Sequence, residues 1–166
     1  MKTEETMIKM ISRAEGNLHD IEHFLKVWGY ARTISKAEEL NSFRQEVVET
    51  AAIVHDISCP YCRRKYGSAP WDKQEAESAA LLAEFFQGED IAGDVKNRVV
   101  YLVSHHHTPA LIDDVDFQIL IEADYLVNAS EHGFSKEKIK EFGNAWFRTE
   151  TGRKLLQTMF LSGDES

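Results

Sequence analysis

Ala51-Ala52-Ile53-Val54-His55-Asp56-Ile57 places an imidazole and a carboxylate directly at the end of an apolar run. A His and an Asp in that position are expected to be partly buried. A buried polar group costs free energy unless it is paired, a charged carboxylate most of all. A divalent ion satisfies both groups at once, because neutral imidazole and carboxylate are suitable ligands for Zn, Mn or Fe. An Asp–His hydrogen bond serving structure is the alternative, and the dipeptide alone favours it.

The surrounding sequence changes that balance. Asp124 lies in Ile121-Glu122-Ala123-Asp124-Tyr125-Leu126, again an acid inside an apolar segment. His23 shares a helical face with Val27, Tyr30 and Ile34, so it too can point inward. Three helices that each offer an inward ligand group are how bundles build metal sites in their cores.

Periodicity supplies those helices. Residues 3 to about 14 read as a short helix with Met7, Ile8, Met10 and Ile11 on its apolar side. From 21 to 40, Phe24, Leu25, Trp28, Ala31 and Ile34 recur at helical steps, and a third helix spans about 43 to 57. Between Ser58 and Trp71, Cys59, Pro60, Tyr61, Cys62 and Gly67 break the pattern and predict a loop of functional size. Helices resume at about 72 to 87 and 91 to 105, followed by a loop from His107 to Val115. Phe117 to Val127 is so apolar that periodicity fits a buried strand or a buried helix, and its helical neighbours favour helix. Two more helices follow at about 135 to 146 and 149 to 161. The expectation is one all-α domain over residues 1–166, an irregular multi-helix bundle.

The chain has 166 residues, 43% hydrophobic and 28% charged, with only 3 Pro and 9 Gly, so little of it is forced into turns. A net charge of -9 argues against a surface for duplex nucleic acid, which needs clustered Lys and Arg. A small phosphorylated metabolite or nucleotide stays compatible, because a bound cation supplies positive charge locally. No apolar run approaches the roughly 18 residues of a membrane span. Met1 to Arg13 carries no apolar signal-peptide core, so a cytoplasmic location and no membrane partner are expected. Cys59-Pro60-Tyr61-Cys62 has the spacing of a redox pair but lacks the βαβ context, and reduced thiols are expected.

The order His…His-Asp…Asp resembles the HD superfamily of metal-dependent phosphohydrolases. His23-Phe24-Leu25-Lys26-Val27-Trp28-Gly29-Tyr30-Ala31 looks like the first motif of that family. Ala51 to Ile57 looks like its defining motif, and Glu122-Ala123-Asp124-Tyr125-Leu126 like its last. The likeness spans about residues 19 to 128, with the C-terminal helices packing on that core. It implies an HD-type bundle holding a divalent transition metal (Mn, Fe, Ni, Co or Zn, as one ion or two) through His23, His55, Asp56 and Asp124.

Departures from the family pattern carry further expectations. His19-Asp20 lacks a preceding apolar run and comes too early, so it reads as a helix-start pair that at most lines the mouth of the site. Two-metal members carry an extra His in the helix after the His-Asp segment. Here that helix reads Lys73-Gln74-Glu75-Ala76-Glu77, and Glu75 or Glu77 is the substitute. His105 and His106 are equal candidates to contact phosphate or protonate a leaving group, with His107 below them. No acid follows the His-Asp pair closely, which leaves water activation to the metal and Asp56 as proton acceptor. Arg63, Arg64 and Lys65, with Lys73, form a candidate phosphate clamp, since guanidinium matches phosphate oxygens bidentately. Phe142, Trp146, Phe147 and Phe160 are spaced as helix core, with a lid or a homodimer face as alternatives.

The expected function is hydrolysis of a phosphomonoester or nucleotide by a metal-activated water. A metal-retaining nucleotide sensor without turnover is the alternative. A diiron oxygenase on the same scaffold is disfavoured by the missing His near Gln74.

Overall fold

Asn17, Asn41, Ser135 and Thr149 each accept a hydrogen bond from the backbone N–H three residues on, at Asp20, Arg44, Lys138 and Gly152. Such caps satisfy donors that a helix start leaves open, and they fix where four of the helices begin. The computed structural model describes residues 1–163. Its helices are α1 (Thr3–Arg13), α2 (Leu18–Ala37), α3 (Ser42–Val54), α4 (Cys59–Tyr66) and α5 (Trp71–Phe85). They continue with α6 (Gly93–His105), α7 (Val115–Glu131), α8 (Lys136–Trp146) and α9 (Glu150–Leu156), which runs on into a π-turn at Gln157–Leu161. Among the described residues there is no strand, so the all-α expectation holds.

One element differs from expectation. The segment read as a loop, 58 to 71, folds mostly into α4. Pro60 stands in the first turn, where a missing N–H costs nothing, and Arg63, Arg64 and Lys65 fall in the last turn, where the helix dipole favours cations. Gly67 ends the helix with φ 78, a left-handed conformation that glycine adopts without Cβ strain. The punctuating residues therefore start and stop a short helix instead of marking a loop.

The core forms where α2, α3 and α7 pack on one another, with α6 against α3, α5 against α6 and α1 against α3. Val47, Val48 and the run Ala51 to Val54 are fully buried, so the C-terminal half of α3 is covered on all sides. Phe117 to Val127 is a helix, and its apolar character all round follows from the same enclosure. Phe142 of α8 stacks on Tyr125 of α7 with centroids 3.7 Å apart, and the buried Phe147 meets Tyr125 edge-on at 5.9 Å. These C-terminal aromatics are core contacts, as their spacing suggests.

Glu122, fully buried on α7, ties this C-terminal segment down. Its carboxylate accepts from the Gln118 amide at 2.7 Å, the backbone N–H groups of Arg148 and Thr149 at 2.7 and 3.0 Å, and the Thr149 hydroxyl. Burial pushes its pKa up against the pull of these donors. Gly152 lies so close that an added Cβ would run into the Glu122 carboxylate and Thr149. Gly152→Ala is therefore expected to cost about 1–3 kcal/mol through overpacking. Urea unfolding checks this, and a midpoint equal to wild type would contradict the close approach.

Candidate metal centre

Four helices deliver side chains to one point. His23 comes from the second turn of α2, His55 caps α3, Asp56 follows in the next turn, Asp124 sits midway along α7, and His106 caps α6. His23 Nε2 lies 3.2 Å from His55 Nε2, 3.4 Å from Asp56 Oδ2 and 3.2 Å from Asp124 Oδ1. His55 Nε2 lies 3.3 Å from the same Asp56 oxygen and 3.5 Å from the same Asp124 oxygen. His106 Nε2 faces the other Asp56 oxygen at 3.6 Å. The structure thus brings together all four residues expected as ligands, and His106 with them.

The outward ring nitrogens assign the tautomers. His23 Nδ1 is 2.9 Å from Glu131 Oε2, and His55 Nδ1 is 2.8 Å from the Ala52 carbonyl, so both carry their proton on Nδ1. His106 repeats the pattern, with Nδ1 at 2.7 Å from the Val103 carbonyl. Every Nε2 lone pair therefore points into the cluster. His106 Nε2 is buried without a hydrogen-bond partner. Lone pairs that face each other beside two carboxylates need a cation among them. Donors about 2.0–2.2 Å from a common ion lie about 3.0–3.5 Å from one another, which is the spacing found. The donor set fits a divalent metal ion.

Electrostatics say the same. Burial opposes charge on His23 and His55. For His23 the hydrogen bond to Asp124, and for His55 the charge of Asp56, reinforced by the other carboxylate, more than offset it, so both values rise above 6.5. Burial likewise opposes charge on Asp56 and Asp124, yet the facing imidazoles hold both carboxylates below the usual range. The cluster draws positive charge, and a proton is the smallest cation that supplies it.

A family model described as HD domain matches residues 20–129, a segment that holds His23, His55, Asp56, His106 and Asp124. The chain belongs to the HD-domain family. A crystal structure of a predicted HD superfamily hydrolase from an uncultured Thermotogales bacterium superposes with a TM-score of 0.66 at 22% identity, covering 93% of this chain and 83% of the other. Comparison with curated proteins finds no match. HD-superfamily proteins are typically metal-dependent hydrolases, which makes this HD chain an enzyme of that broad class whose His/Asp cluster could hold a divalent ion.

Outer contacts of the HD cluster include residues that the sequence does not single out. Glu131 holds the His23 ring from 108 positions away, a pairing with no local trace in the sequence. Asn128 donates to Asp124 Oδ1 at 2.9 Å, one helical turn on, and that i,i+4 spacing is legible. Ala52 and Val103 act through backbone carbonyls, which carry no side-chain signature.

Other expectations are redistributed. His105 and His106, equal candidates by sequence, separate in the fold: His105 Nδ1 bonds the Tyr101 carbonyl at 2.7 Å and its ring packs on Tyr101 at 4.6 Å. Consecutive residues at a helix end point about 100° apart, so one of the pair turns away. Glu75 accepts from the His107 N–H and the Thr108 hydroxyl, and Glu77 from Lys65 and Tyr66, so neither replaces the missing His at the cluster. His107 is pushed down to about 4 by burial and by His106 beside it.

A cavity of about 430 Å³ opens beside the cluster, with Asp56 in its lining. Phe24, Ile57 and Leu81 give it apolar walls, while Arg13, Asp20 and Arg64 line it with charge. Of the proposed clamp, Arg64 lines this cavity and pairs with Glu15, and Arg63 binds Asp20. Lys65 and Lys73 belong to a different surface cluster: Lys65 bonds Glu77, Lys73 sits near Asp72, and both lie over the Tyr66 ring. The rotation of α4 fans Arg63, Arg64 and Lys65 apart, and Lys73 belongs to α5. His19 is exposed, whereas Asp20 lines the cavity, so the early His-Asp pair does touch the site mouth. Cys59 and Cys62 are free and buried, and burial pushes both thiols up, opposite to a reactive thiolate.

Two outcomes follow from the HD cluster. Glu131→Gln removes the carboxylate that orients His23 and is expected to weaken metal affinity about 10–100-fold in calorimetric titration. The raised values of His23 and His55 stabilise the metal-free protein fully below 6.5, and that contribution is lost as pH rises through them. Chelator-treated protein should therefore melt at lower temperature as pH rises from 6.5, and added Mn(II) should remove that fall. A flat profile without metal would contradict the paired charges.

Proposed function

We propose that the chain is a metal-dependent phosphohydrolase acting on a phosphomonoester or small nucleotide. The observation that carries the reading is the convergence of His23, His55, Asp56 and Asp124 beside a cavity of about 430 Å³ whose lining includes Asp56. Those four residues would hold the ion. Bound there, a divalent metal would acidify water and polarise a phosphoryl oxygen, worth several kcal/mol of transition-state stabilisation.

The chain's own residues supply the rest. Asp56 presents one oxygen to His23 and His55 and the other to His106, so it can both bind the ion and take part in proton transfer. His106 Nε2 is an acceptor without a partner that faces Asp56 at 3.6 Å, and in this reading it would receive a proton from an attacking water and return it to the leaving group. Asp56 and His106 are thus the catalytic residues of this reading, and His105 is not among them. Arg64 and Arg13 line the cavity and are held by Glu15 and Glu84. Exposed pairs of this kind are worth about 0–1 kcal/mol, so a phosphate can displace them. Apolar walls from Phe24 and Leu81 leave room for a substrate body beyond the phosphate.

The test is a screen of phosphomonoesters and nucleotides with Mn, Fe, Co and Ni, run beside elemental analysis. Wild type is expected to turn over at least one of them. His55→Ala is expected to lose both metal and activity, the latter at least about a hundredfold for an interaction of several kcal/mol. His106→Gln should keep the metal but lose kcat about 10²–10⁴-fold, the range for a positioned acid or base. Metal-loaded wild type inert toward every compound would favour a sensor and sink the catalytic reading.

A further inference from the structure

On the α5 side of the ligand cluster, the buried Gln74 joins the buried Cys59 to the half-buried His107. Gln74 is buried, and its Nε2 donates to the Ala69 carbonyl at 2.6 Å. That bond fixes which way the amide points, so Oε1 must face the other partners. Cys59 Sγ lies 3.2 Å from Oε1 and His107 Nε2 lies 3.0 Å from it. A carbonyl oxygen only accepts, so Cys59 is held as a thiol and His107 carries its proton on Nε2. Three side chains of ligand type are thus spent on one another. Glu75, the neighbouring carboxylate on α5, is occupied by the His107 N–H and the Thr108 hydroxyl.

What remains for a second ion is small. His55, Asp56 and His106 converge closely enough to hold one. His55 has a single available lone pair, on Nε2, because Nδ1 is bonded to the Ala52 carbonyl. That lone pair lies 3.2 Å from His23 Nε2, 3.3 Å from Asp56 Oδ2 and 3.5 Å from Asp124 Oδ1, so it is committed to the ion those residues would hold. The second position is left with Asp56 and His106, two donors where a protein site ordinarily supplies three or four.

We infer that Gln74 limits this centre to one ion, by holding the Cys59 thiol and His107 in a closed set of hydrogen bonds where further ligands would otherwise stand. The inference rests on the metal centre proposed above and names the residue that sets its nuclearity. It also leaves His106 Nε2 free of a metal, as its role in proton transfer requires.

Metal content and electron paramagnetic resonance of the full chain saturated with Mn(II) test it. Wild type is expected to hold one Mn per chain and to show the hyperfine pattern of an isolated ion. Gln74→His is expected to raise the content to two per chain and to produce a spin-coupled signal. Gln74→Glu serves as a second variant should the first fail to fold by circular dichroism. Two ions in wild type would overturn the inference while leaving the metal centre intact. Folded variants that stay at one ion would overturn the role of Gln74. No ion in wild type under saturating metal would instead sink the centre itself.

Discussion

Two imidazole lone pairs facing each other at 3.2 Å, with two carboxylates about as close, are the constraint on which the rest of the structure turns. Left without a cation, such a cluster is a concentration of acceptors in a low-dielectric interior, and burial makes each unsatisfied one costly. The protein assembles it nonetheless, with backbone carbonyls and Glu131 pinning each ring so that it cannot rotate to relieve the conflict. A side chain restrained in that way is organised for a ligand and not for its own comfort.

The helices that carry these groups are the most enclosed in the molecule. α3 packs against α2, α6 and α7, α7 packs against α2 and α3, and Val54, Ile57, Ala123 and Tyr125 beside the two ligand positions are buried. Enclosure raises the cost of charge but also strengthens every attraction within the cluster, since both scale with the low local dielectric. Glu122 has a different role from its near neighbour Asp124. Its oxygens are fully taken by donors that include the backbone of Arg148 and Thr149, so it anchors α8 and α9 without joining the site. A fully buried acid and a half-buried one close together on α7 thus diverge in role because their partners differ.

Much of this was legible. The apolar run before His55 announced a buried helix ending in polar groups, and that logic located Asp124 as well. Helical spacing of the apolar residues set most of the elements. Where reading failed, one signal had two meanings. Pro60 and Gly67 looked like loop punctuation, but Pro in a first turn and Gly just past the last are also helix boundaries. Because α4 is a helix, Arg63, Arg64 and Lys65 are distributed by its rotation and by local acids, and no sequence pattern encodes which of them faces the cavity. What Glu131 and Gln74 bond was beyond reach for another reason, although Gln74 itself stood out as the place of the missing His. Their partners, His23 and the Cys59–His107 pair, lie 108 positions or a whole helix away, and only packing brings them together.

The chemistry and the walls around it come from different segments of the chain. His23, His55, Asp56, His106 and Asp124 all fall within residues 20–129, the segment shared with the family, and so do Phe24 and Arg64. Met10, Arg13 and Glu15 precede that segment, yet they line the same cavity as Pro60 and Tyr61. α1 reaches that position through its packing on α3 and the contacts of Lys9 and Arg13 with Glu89 and Glu84. Surface pairs of that kind contribute little energy singly, so the apolar seat of Met10 and Ala14 does most of the holding. A wall built on a separate helix can change in sequence without disturbing the donors behind it. Under the proposed function, selectivity and metal binding are physically separable: the first would be set by what α1 and α4 present to the cavity, and the second by the rings pinned on α2 and α3 together with Asp56 and Asp124.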